Sequence, residues 1–211
     1  MWVEAQLWTV LSAPCLAWFA CAAAERGSAD ALNQPHMKIG SWIYAASALA
    51  ALAAAATAEG LADAMASALL IAALAYLAVF DVRIMAIPVW PTLAFTGGGL
   101  AFAALEGGGQ EFIARASAVL AVWLAFRLLD QVYLRLRGRA GLGSGDALVA
   151  AMIGAWLPYH YLAWSVALGG GLALLWVLLR SWPADRAFPF VPGLGAGACL
   201  VMLGARVVWS F

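Results

Sequence analysis

The chain has 211 residues, of which 66% are hydrophobic and 10% charged, and its formal net charge is zero. Soluble domains carry about 25% charged residues, so this composition excludes a water-soluble globular domain and leaves no basic surface for nucleic acid. Lipid is the expected solvent, and at about 20 apolar residues per crossing the chain has room for about eight transmembrane helices.

Taken in chain order, the apolar runs predict helices at roughly residues 5–24, 41–58, 63–83, 90–106, 112–134, 146–159, 161–180 and 190–208. The first run has Glu4 where a signal peptide carries basic residues, and Pro14 stands just before Cys15. It therefore reads as a retained membrane helix. Polar or helix-breaking segments separate the runs: Glu25 to Gly40, Glu59–Gly60, Ile87–Pro88, Gly107–Gly109, Arg135–Gly145, Pro158–His160 and Ser181–Pro192. The sixth run is short and could be partly re-entrant. Small-residue stretches at Ala45–Ala56, Gly97–Gly99, Gly169–Gly171 and Gly193–Gly197 suit close helix packing. Eleven Trp and five Tyr suit anchoring at the two membrane interfaces. Cys15, Cys21 and Cys199 all lie in apolar runs without a CxxC, which reads as buried, inert thiols rather than a zinc site or a disulfide framework.

Arginine placement sets the direction. With the N-terminus outside, the inner loops and helix ends collect Arg26, Lys38, Arg83, Arg127, Arg135, Arg137, Arg139, Arg180 and Arg186, and the outer side holds Arg115 and Arg206. The positive-inside rule then places both termini outside. The fold expectation is an all-α, polytopic membrane protein, a single transmembrane domain over residues 1–211. The Arg135–Arg139 cluster is foremost a topology signal and could attract anionic membrane lipids.

Asp81 and Asp146 both fall on the inner side under this numbering. Asp81 ends the third run in Val79-Phe80-Asp81-Val82-Arg83, and Asp146 opens the sixth behind Gly141-Leu142-Gly143-Ser144-Gly145. An ionised carboxylate near lipid is unfavourable by several kcal/mol unless it meets water or a partner. Asp146 stands where a helix N-terminus favours an anion. Glycines at 143 and 145 would free the backbone there and let an extended substrate approach. Asp81 stands at a helix C-terminal end, where the dipole opposes a negative charge; a plain alternative is a solvated acid paired with Arg83. Two close carboxylates share one proton, so one can act as base on water while the other polarises a carbonyl. No Lys-Ser/Thr follows the glycines, which disfavours a phosphate loop. His36 and His160 fall on opposite sides, no cluster has metal-ligand spacing, and Asp130 reads as structural, within helical reach of Arg127.

At these residues the chain resembles the type IV prepilin peptidase family, membrane aspartyl proteases of the GxGD type. The matching elements are Asp81 with Pro88 seven residues on, Gly143-Ser144-Gly145-Asp146, the helix containing Gly154-Ala155-Trp156-Leu157, and the tail Phe188-Pro189-Phe190-Val191-Pro192-Gly193. The resemblance implies catalytic Asp81 and Asp146, with Gly143, Gly145 and Pro88 as substrate-loop or supporting residues. It implies an endopeptidase that cleaves the basic leader of type IV prepilins or pseudopilins at the cytoplasmic face of a bacterial inner membrane, without cofactor or metal. Bifunctional members also N-methylate the product using S-adenosylmethionine, and carry paired CxxC motifs for zinc in the first cytoplasmic loop. Here the 16-residue loop Glu25–Gly40 has no cysteine, so cleavage without methylation is expected. The family commonly has Asn or Asp where this chain has Val89, and Lys where it has Leu148. Two other readings stand beside the enzyme: a proton-coupled transporter using the same acids as relays, and a catalytically silent pilus or secretion assembly factor.

Overall fold

A computed structural model describes residues 13–17, 19–26, 41–138, 143–181 and 188–209, with the side chains of 41–44 and 206–209 excepted. Among the described residues every regular element is a helix. Helical residues 13–17 and 19–26 form α1. Then follow α2 (Ser41–Ala56), α3 (Leu61–Ile84), α4 (Val89–Arg137), α5 (Ser144–Trp156), α6 (Tyr159–Leu179) and α7 (Val191–Trp209). The start of the first predicted run, the loop bearing His36 and Lys38, Arg139 to Leu142, and the stretch with Trp182 and Arg186 lie outside the described residues.

The fourth and fifth predicted runs share α4, which is interrupted at Gly108 (φ 68°, ψ −162°). That backbone conformation is open essentially to glycine alone. Glu111 pairs with Arg115 at 2.6 Å one turn beyond the break. Three helices, α3, α4 and α6, are long and apolar enough to cross a membrane, while Ala45–Ala56, α5 and Val191–Ala205 are shorter apolar stretches. At 1.5 Å per residue, α5 spans only about 20 Å, short of a bilayer core.

The chain forms two compact units, Met1–Ala86 with Trp164–Phe211, and Ile87–Ala163. In the first, α3 is the core. Leu70, Ile71, Leu74, Leu77, Val79 and Phe80 are all buried, on several sides of one helix, as expected when neighbours cover it all round. α2 and α7 pack on it, and α1 adds Cys21 and Ala24 against Ala75, Val79 and Phe80. Glycines bring α7 and α6 together backbone to backbone: a Cβ at Gly169 would lie 2.8 Å from Leu194 Cα, and one at Gly193 would lie 2.8 Å from the Gly169 carbonyl oxygen. Any larger residue would push the two helices apart.

In the second unit α5 is the core, buried at Ala147 and at every residue from Val149 to Trp156. Both halves of α4 contact it. Trp156 stacks near Phe102 (ring centroids 6.1 Å apart) and donates its indole N–H to the Phe95 carbonyl at 2.9 Å. Gly99 makes room for that ring, since a Cβ there would lie 2.8 Å from it. From the other half, Ala118 and Val119 approach Gly154. The cysteines divide: Cys21 is buried, Cys199 partly so, and Cys15 is exposed. The expectation of three buried thiols is corrected at Cys15, where the side chain projects from the outer face of an apolar helix.

Candidate active site

Asp81 belongs to the first unit and Asp146 to the second. Asp81 lies in the last turn of α3, four residues before Met85, which closes the helix in a left-handed conformation (φ 49°) and donates its N–H to the Asp81 carbonyl. The carboxylate is 6% exposed. Its Oδ2 accepts from the Val191 N–H at 2.8 Å. That amide belongs to the first residue of α7.

A helix start leaves several N–H groups without intrahelical partners. Here the residue before the first turn, Phe190, has no side-chain oxygen, and Pro192 has no N–H at all. Asp81 supplies the missing acceptor from another helix. The unfavourable dipole at its own helix end is thereby opposed by the favourable dipole of α7. Pairing with Arg83 is not what holds it: Arg83 Nη1 donates to the Glu25 carbonyl oxygen at 2.6 Å.

Asp146 is half-buried at the third position of α5, as the glycine loop predicts. Its Oδ2 accepts from the Gly143 N–H at 3.0 Å, and its own N–H donates to the Gly143 carbonyl at 3.1 Å. This is one half of a capping box; glycine has no side chain to return the bond. Neither glycine uses a left-handed conformation, in contrast to the freedom expected of them. Their need for a missing side chain is spatial. A Cβ at Gly145 would lie 2.5 Å from Ile87 Cγ1, and one at Gly143 would lie 3.1 Å from Asp146 Oδ2. Pro88 precedes the first turn of α4, where its lack of an N–H is harmless. Its carbonyl accepts the Thr92 hydroxyl at 2.8 Å.

Each aspartate is thus an acceptor held at the start of a helix, one by its own helix and one by a distant helix. Held this way, a carboxylate keeps one orientation and retains lone pairs for further bonds. Among the described residues no group of three or more His, Cys, Asp or Glu could hold a metal ion. His160 is exposed beside Tyr159 and Tyr161. The bond from α7 to Asp81 is the part of the site that sequence reasoning missed. Its signal was a helix start, Phe-Val-Pro-Gly, with no residue able to cap it.

Residues 68–181 match the type IV leader peptidase family. The chain belongs to this family. The matched stretch contains Asp81, Pro88, Gly143, Gly145 and Asp146, whereas the start of α7 lies beyond it. The chain is 30% identical over 146 residues to a prepilin leader peptidase/N-methyltransferase of Aeromonas hydrophila, covering 66% of this chain and 49% of that one. It is 32% identical over 148 residues to the protein so named in Dickeya chrysanthemi, covering 64% and 49%. A third, from Neisseria gonorrhoeae, is 31% identical over 108 residues, covering 50% and 37%. The chain therefore spans about half the length, or less, of these curated relatives. No solved structure matches it.

Proposed function

We propose that this chain is a membrane aspartyl endopeptidase that removes the basic leader from type IV prepilins or pseudopilins, with Asp81 and Asp146 as its catalytic pair. One observation carries the reading. Two of the acids in the stretch matching the leader peptidase family, Asp81 and Asp146, each accept from a backbone amide at a helix start. Carboxylates held in this way are oriented acceptors rather than loose surface acids. The name shared by the relatives supports the substrate class.

In the proposed reaction the two carboxylates share one proton. The ionised member takes a proton from water, whose oxygen adds to the scissile carbonyl carbon. The protonated member gives its proton to the carbonyl oxygen. Collapse of the tetrahedral intermediate re-forms the carbonyl and breaks the C–N bond, and the leaving nitrogen takes the proton first removed from water. The balance is one water consumed per bond cut. The proposed setting is a single multi-pass domain in the bacterial inner membrane, with both termini outside and the acids at the cytoplasmic interface, where water reaches them. Arginine placement supports that orientation. Gly145 and Pro88 have supporting roles, shaping the segment around Asp146 and the start of α4.

The test is leader release from a panel of prepilins by the purified chain in lipid. Asp81→Asn and Asp146→Asn should each lower the rate by at least about a thousandfold, on the scale expected when an acid–base partner is lost, while still inserting. Full activity in either variant would remove that aspartate from the mechanism.

A further inference from the structure

The start of α7, part of the tail that resembles the family, lies beyond the matched residues 68–181, and its Val191 amide holds Asp81. α7 is itself seated firmly. Gly193 and Gly197 let its first two turns lie against the backbone of α6 at Ser165 and Gly169, and Gly195 faces Leu74 of α3. Val191 and Leu194 are fully buried. Phe188 and Phe190 meet edge to face, 6.1 Å between centroids, and Pro189 and Pro192 restrict the backbone on either side of the amide that reaches Asp81. The Val191 N–H is therefore a donor fixed by its surroundings and aimed at a buried carboxylate. A Ser or Asp at position 190 would not serve this amide, because a capping side chain reaches the second or third helical N–H, and the second residue here is Pro192.

We propose that the first turn of α7, acting through the Val191 amide, is the positioning element for Asp81 in leader cleavage. It sets the rotation of the carboxylate so that the lone pairs left unbonded face the reacting water and carbonyl. Val191 touches no substrate in this arrangement and acts only through Asp81. The inference rests on the peptidase reading for its catalytic consequence, whereas the hold itself does not.

Two changes remove the N–H without removing the carboxylate. Val191→Pro uses the helix position where proline is best tolerated. An ester at the 190–191 peptide link, made by placing 2-hydroxyisovaleric acid at 191, keeps the valine side chain. Met202→Ala, a buried residue about three turns on, is the control for general loosening of α7. With a prepilin substrate, the proline and ester variants should each lower kcat by about ten- to a hundredfold, the scale of one hydrogen bond to a charged group. KM should stay within about twofold, because binding is not the affected step. Met202→Ala should lower Tm at least as far and leave kcat within about twofold. If kcat instead follows Tm equally in all three variants, Val191 is structural and the inference is overturned.

A second readout needs no activity. Tm should be measured for Asp81→Leu, for the ester, and for both together. The ester also weakens the Phe190 carbonyl that accepts the Leu194 N–H at 3.2 Å, so the double variant should melt below Asp81→Leu by clearly less than the ester melts below wild type, the bond to Asp81 being shared by both changes. Additive losses would overturn the hold. An inactive wild-type chain would overturn the peptidase reading, and this cycle would still decide whether α7 holds Asp81.

Discussion

Gly145→Ala is a sharp test of the packing around Asp146. The added Cβ would lie 2.5 Å from Ile87 Cγ1 and 2.7 Å from Ile87 Cβ. Ordinary carbon contacts lie at about 3.5–4.0 Å, so something must move by about 1 Å. Ile87 is β-branched and stiff at χ1, and Pro88 follows it directly. Overpacking of this kind costs about 1–3 kcal/mol. Alanine returns at most about 1 kcal/mol of helix propensity over glycine, so the net loss is about 1–2 kcal/mol. At about 2–4 °C per kcal/mol for a chain of this size, Tm should fall by roughly 2–8 °C. Gly97→Ala is the matched control. Nothing lies within 4 Å of its added Cβ, so only the propensity gain remains and Tm should rise by about 2–4 °C. Ile87→Ala should rescue Gly145→Ala only in part, because alanine removes Cγ1 and keeps the Cβ. The assay is thermal unfolding of the purified variants in one detergent, followed by tryptophan fluorescence. A Gly145→Ala variant as stable as wild type would refute the close approach of Ile87.

Trp156→Phe should lose about 1–2 kcal/mol, because it leaves the Phe95 carbonyl without the indole donor and shrinks a packed ring; denaturant titration beside the wild type measures this, and an unchanged midpoint would contradict the bond. In a substrate-bound experimental structure the Asp81 and Asp146 carboxylates should lie within reach of one bridging water, on the order of 3–10 Å apart; carboxylates on opposite membrane faces would end the dyad proposal. Leader release by the purified chain should proceed without S-adenosylmethionine and withstand chelators. Mass spectrometry of the new N-terminus would expose methylation as the gain of one methylene, which would contradict the expectation from the cysteine-free loop.

The helices were legible because apolar runs end at charges, glycines and prolines, and lipid enforces that pattern on every crossing. The run 63–83 became α3, Leu61–Ile84, and the Gly-Xaa-Gly-Asp sequence placed Asp146 in the first turn of α5. Local chemistry sufficed there, since the carboxylate bonds an amide three residues away. Asp81 was different. Its partner is 110 residues distant and is a backbone N–H. An amide has no residue identity, so its mark in the sequence is only indirect, a helix start at Phe190-Val191-Pro192 with no capping side chain. Arg83 was the near neighbour in sequence, but its side chain goes to the Glu25 carbonyl, 58 residues back. The glycines at 143 and 145 could be read as necessary, but not why. The approach of Ile87 is a fact of packing between segments far apart in the chain. Gly97–Gly99 showed the same limit in a milder form: small residues predicted close packing, which holds against Trp156 at Gly99, while Gly97 faces open space.

The interruption at Gly108 bears on parity. Carboxylates that share a proton must surface on one side of the bilayer, so the number of crossings between them must be even. In the proposed topology that number is two, one for each half of α4. A continuous 49-residue α4 would make it one and send the arginine-rich end of the helix, with Asp146 after it, to the far side. A Cβ at position 108 would meet nothing within 4 Å, so the need for glycine there is torsional rather than spatial. In the proposed topology a single backbone torsion, available to glycine and strained for every L-residue with a side chain, sets the number of crossings between the two acids.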